Sequence, residues 1–126
     1  MKLEPRSNES SYARRFNRVL DYIGQHLDDT LTVECLSKVA NFSKFHFHRQ
    51  FYEYCGINIG RYIQLMKLKR ASYRLVFNPE ERIIDIALDA GFENPESFSR
   101  AFKNTFGQTP KEFRKNPAWA SNRGTL

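Results

Sequence analysis

One skeleton of aromatic residues, glycines and helix-capping residues occurs twice in this chain. Phe47, Phe51, Gly56, Asn58 and Tyr62 correspond to Phe98, Phe102, Gly107, Thr109 and Phe113 at a constant offset of 51 positions. Ala40 and Phe42 correspond to Ala90 and Phe92 at an offset of 50, so the second turn is one residue longer. Each matched aromatic falls where a two-helix unit needs a core contact, and each matched cap falls where a helix has to start. The pattern predicts one small helical module used twice.

The segments around the repeat fit that expectation. In "SYARRFNRVLDYIGQHL", Phe16, Leu20, Ile23 and Leu27 recur at helical spacing, predicting a first helix over about residues 11 to 27. Thr32 and Ser43 are expected to cap two short helices, "VECLSKVA" and "KFHFHRQFYEY", that stop near Asn41 and at Gly56. Two helices joined by a tight turn are a helix-turn-helix candidate. Asn58 opens a long helix over 59 to 77 whose apolar face changes side: Ile59, Tyr62, Ile63 and Met66 share one face, while Leu68, Ala71 and Leu75 share the opposite one. Such a helix serves two cores, and at roughly 1.5 Å per residue it is about 28 Å long. Beyond it, "IIDIALDA" ends at Gly91, Asn94-Pro95 starts "PESFSRAFKNTF", and Thr109-Pro110-Lys111-Glu112 forms a capping box before a short helix ending ahead of Pro117. The predicted class is all-α, with seven helices. Residues 11–58 form a first subdomain, 59–77 a connector, 78–117 a second subdomain, and 1–10 and 118–126 tails.

Composition narrows the partners. Twenty Lys and Arg against fourteen Asp and Glu leave a net charge of +6, which suits a polyanion. No apolar run approaches the ~18 residues of a membrane span, and the N-terminal "MKLEPRSNESSYARR" has no apolar signal core, so a cytoplasmic protein away from membranes is expected. In a reducing compartment, Cys35 and Cys55 are expected as free thiols.

The positions between the core residues carry the functional signal. If Phe47, Phe51 and Tyr54 point inward, Phe45, His48, Arg49 and Tyr52 point outward. With Phe98 and Phe102 inward, Glu96, Ser99, Arg100 and Lys103 point outward. Guanidinium groups such as those of Arg49 and Arg100 can read the O6 and N7 edge of guanine in the major groove.

The segment "DIALDAGFENPESFSRAFKNTFGQTPKEFR", with "SKFHFHRQF" and "KLKRASYRL", resembles the AraC/XylS transcriptional regulators, specifically their double helix-turn-helix DNA-binding domain. The resemblance covers about residues 11 to 117. It implies two recognition helices in successive major-groove segments of double-stranded DNA, about 34 Å apart, on an asymmetric site bound by a monomer. Lys67 stands where arginine is usual in the family and Asn41 where glycine is usual; asparagine tolerates a left-handed turn. Carried over by position, base readout falls to Phe45, His48, Arg49, Glu96, Ser99 and Arg100. Lys44, Lys103, Lys111 and Arg114 are expected phosphate contacts. Activation through RNA polymerase is the expected output. No effector domain of the family's usual kind fits in this length, which leaves a lone-domain regulator or the DNA-binding end of a longer protein, because the opening segment is similar to relatives that continue into a C-terminal effector domain.

Other chemistries find little footing. His46 and His48 project ~200° apart on a helix and share an ion poorly, so no metal or other cofactor is expected. No carboxylate pair, phosphate loop or nucleophile constellation points to an enzyme. Cys35 and the residues Phe42, Phe47, Phe51, Phe92, Phe98, Phe102, Phe106 and Phe113 are expected in the core, and Arg14, Arg15 and Arg18 on a solvated face. The competing class is a helical interaction module whose basic surface meets an acidic protein.

Overall fold

The computed structural model describes residues 11–119, in which seven α-helices and no strand occur. The helices are α1 (Ser11–Gln25), α2 (Val33–Ala40), α3 (Lys44–Cys55), α4 (Ile59–Phe77), α5 (Ile83–Asp89), α6 (Pro95–Phe106) and α7 (Pro110–Lys115). Residues 1–10 and 120–126, expected as tails, lie outside the described residues.

The chain divides into two compact units at Ile63 and Gln64, inside α4. In the first unit Phe16, Val19, Ile23, Leu36, Ala40, Phe47, Phe51 and Ile59 form the core. Phe16 is its hub, with ring centroids 5.0 Å from Phe42, 6.0 Å from Phe51 and 5.2 Å from Tyr54. In the second unit Leu68, Ala71, Leu75, Ile86, Ala87, Ala90, Phe98, Phe102, Phe106 and Phe113 form the core. Phe42 and Phe92, expected inside, are half-buried flanks of these clusters. The two faces of α4 part as the sequence predicts at six of seven positions: Ile59, Tyr62 and Ile63 serve the first core, and Leu68, Ala71 and Leu75 the second, while Met66, expected with the first set, is half-buried outside both clusters.

The repeat extends further than the aromatic skeleton indicates. Phe16, Val19 and Ile23 of α1 share their spacing with Leu68, Ala71 and Leu75 of α4, at an offset of 52. The second half of α4 thus performs for the second unit what α1 performs for the first, and the repeated module has three helices.

Local chemistry explains the boundaries. Thr32 Oγ1 accepts from Cys35 N at 3.0 Å, Asn58 Oδ1 from Arg61 N at 2.8 Å, and Asn94 Oδ1 from Ser97 N at 2.8 Å. Thr109 and Glu112 complete the reciprocal capping box, and the backbone N–H of Thr109 holds the Glu112 carboxyl below its usual range. Ser43 occupies the N-cap of α3 in extended conformation, but its side chain makes no capping bond. Asn41 takes the left-handed conformation (φ 59°) that its place after α2 requires. The first helix ends two residues short of expectation: His26 N turns back to Ile23 O at 3.2 Å while its Nδ1 lies 2.7 Å from Tyr22 O, tightening the chain there.

In the second unit an ionic strut ties α4 to the loop after it and to the end of α5. Arg74 Nε donates to Glu81 Oε1 at 3.1 Å, its Nη2 also bonds Glu81 Oε2, and Nη2 reaches Asp89 Oδ2 at 2.9 Å. The Arg74 guanidinium accordingly holds the Glu81 carboxyl below its usual range. The start of the expected C-terminal tail belongs to this unit: Ala118 N donates to Gln108 Oε1 at 3.0 Å and Trp119 packs edge-on against Phe113 at 4.8 Å.

Candidate nucleic-acid interface

Because Phe47 and Phe51 are fully buried on α3, the residues at the complementary positions are driven outward. Phe45, His48, Arg49 and Tyr52 are all exposed, Phe45 at 85% and Tyr52 at 57%. Their spacing i, i+3, i+4, i+7 makes one stripe. Burial of Phe98 and Phe102 does the same on α6, where Glu96, Arg100 and Lys103 are exposed and Ser99 is half-buried. The two stripes correspond residue for residue at the offset of 51.

Polar neighbours already engage part of this surface. Arg49 Nη2 lies 3.4 Å from His46 Nδ1, a contact a neutral imidazole nitrogen can accept. Lys44 Nζ is 3.6 Å from Glu34, and both side chains are more than half exposed, so the pair is weak and Lys44 can be redirected toward an anion. Glu96 sits in the first turn of α6, where a negative charge also stabilises the helix. Lys111 is exposed in the first turn of α7.

Two arginines differ from expectation. Arg114, expected at a phosphate, is half-buried; its Nε donates to Leu75 O at 2.8 Å and its Nη2 to Asn78 O at 3.2 Å. It caps the C-terminal end of α4, where carbonyls lack helical partners and a cation is favoured. Arg15, expected on a solvated face, is also half-buried: Nε donates to Ala40 O at 2.7 Å, Nη2 bonds Asn41 O, and the guanidinium carbon stands 3.6 Å over the Phe42 ring. Arg14 and Arg18 are exposed as expected.

The thiols contribute packing. Cys35 and Cys55 are free and half-buried, with Cys35 Sγ 3.5 Å from the Tyr22 hydroxyl, and burial pushes the Cys55 thiol up. Among the described residues no helix is long and apolar enough to cross a membrane.

A family profile described as a helix-turn-helix domain matches residues 36–116, which include both turns and both outward stripes. The chain belongs to the AraC-type helix-turn-helix family. An uncharacterized HTH-type transcriptional regulator of Bacillus subtilis, YbfP, is 37% identical to this family member over 103 residues. The right origin-binding protein of Escherichia coli is 36% identical over 105. Each alignment covers 82% of the chain but only 35% of the relative. Among solved structures, an AraC-type transcriptional regulator from Chromobacterium violaceum superposes with TM-score 0.76 at 23% identity, covering 86% of this chain and 96% of that one. The DNA-binding domain of AdpA, solved with a target DNA, superposes with TM-score 0.67 at 22% identity, covering 92% and 98%. The family is one of regulator DNA-binding domains and not an enzyme class.

Proposed function

We propose that this AraC-type chain binds double-stranded DNA in a sequence-specific way and regulates transcription, with α3 and α6 as its two recognition helices. The observation that carries the reading is the pair of matching outward stripes, each with an arginine at the same helical position, Arg49 and Arg100. A helix fits the major groove, and an outward guanidinium there can pair bidentately with guanine. Phe45 offers apolar contact to a thymine methyl, and His48, Glu96 and Ser99 offer hydrogen bonds to base edges. Lys44, Lys103 and Lys111 serve the phosphates. Arg114 is withdrawn from that set because its donors cap α4. The target DNA in the AdpA structure supports the same class of ligand here.

The two stripes differ in composition, so the proposed site is asymmetric and is bound by a monomer, with α3 and α6 in successive major-groove segments about 34 Å apart. The proposed output is activation in the cytoplasm through contact with RNA polymerase. Selection of bound duplexes from a random DNA pool tests the reading. Two information-rich blocks about one helical turn apart are expected. A pool without enrichment points instead to an interaction module for an acidic protein.

A further inference from the structure

We infer that Arg15 is a positioning residue for α3, holding the recognition helix at its working angle without touching DNA. The inference rests on α3 being a reading helix. The turn Asn41–Ser43 is the covalent link between α2 and α3, whose side chains share one core. Within it, Asn41 N bonds Lys38 O at 3.0 Å and Phe42 N bonds Ser37 O at 2.9 Å, which closes the α2 end. The carbonyls of Ala40 and Asn41 remain to be satisfied, and one guanidinium from α1 takes both.

The same guanidinium lies 3.6 Å over the Phe42 ring, whose own centroid is 5.0 Å from Phe16 in the core. Arg15 therefore fixes the turn through three contacts of fixed relative geometry: two hydrogen bonds and one stacked face. A lysine brings the charge but not the planar fork or the stack.

The second unit carries a related arrangement, in which a lysine supplies the charge without the fork. At the offset of 52 that relates the core triads, Arg15 corresponds to Lys67, and at the offset of 50 that relates the turns, Asn41 corresponds to Gly91. A Cβ placed on Gly91 would lie 3.6 Å from Lys67 Nζ. Each unit thus brings a cation, from the position just before its first core residue, against the left-handed residue of its turn. Arg70 Nη2 adds a bond to Asp89 O at 3.3 Å beside the second turn.

The test compares wild-type protein with Arg15→Lys and Arg15→Gln on two probes: the duplex recovered from pool selection and a scrambled duplex of the same length, each across a salt series. Both variants should lose about tenfold in affinity for the selected duplex, keep their affinity for the scrambled one, and keep the wild-type salt slope. Amide exchange at Asn41 and Phe42 should quicken in both variants while the α1 amides at Val19 and Ile23, in the core of the same unit, stay unchanged, which distinguishes a loosened turn from unfolding of that unit. Wild-type discrimination in Arg15→Lys overturns the inference, as does equal weakening on both duplexes with the slope reduced by about one, the mark of a phosphate contact. A wild-type protein that does not discriminate between the duplexes defeats the readout proposal itself.

Discussion

Arginine appears here in two employments that the sequence alone does not separate. Arg49 and Arg100 stand on exposed stripes, whereas Arg15 and Arg114 spend their donors on backbone carbonyls. Arg49→Ala and Arg100→Ala should each cost about 1–3 kcal/mol at the selected duplex and little at a scrambled one, as read by titration at fixed salt. Equal losses on both duplexes would reassign them to phosphates. Phe98 is fully buried against Phe92 and Phe102, so Phe98→Ala should lower stability by about 3–5 kcal/mol in chemical denaturation. The outward stripes were legible because buried phenylalanines fix the phase of their helices and leave the remaining positions little choice. The two capping arginines were not, since the acceptors of Arg15 lie 25 and 26 positions away and those of Arg114 lie 39 and 36 away. The paired cations ahead of Phe16 and Leu68 were the available signal, and that pairing emerges only once α1 is aligned with the second half of α4.

At the scale of elements, the helix starts were readable from side chains that cap locally: Thr32, Asn58, Asn94 and the Thr109–Glu112 box act within three residues of themselves. The start of α5 at Ile83 was legible without such a cap, from the apolar run that opens there: Arg82 makes no side-chain cap bond, and its guanidinium instead meets Asp85 at 3.1 Å. The ionic strut around Arg74 gives the second unit a pH dependence of definite sign. The Glu81 carboxyl lies below its ordinary value of 4.5 in the folded chain, principally because Arg74 bonds it. Its contribution is therefore complete above about pH 4.5 and is lost as pH falls through the depressed value. Thermal unfolding across pH 2–6 should show a melting temperature that declines more steeply in wild-type protein than in Glu81→Gln, whose melting temperature is lower at neutral pH.

For the molecule as a whole, twenty Lys and Arg against fourteen Asp and Glu make any DNA affinity strongly salt-dependent. Lys103→Ala and Lys111→Ala should each reduce the slope of log K against log salt by about one and weaken every sequence alike. The division of the chain at Ile63 and Gln64 has a consequence for how such proteins can be recombined. The border between the two compact units is no linker: it falls within four unbroken helical residues, between Ile63 of one core and Leu68 of the other. A graft of one module from a relative has to be joined within those helical residues, and each residue added there turns the downstream core stripe about 100° from the upstream one. Point substitutions on the exposed stripes face no such restriction. New specificities in this architecture are therefore more accessible by repainting the helices than by exchanging the modules that carry them.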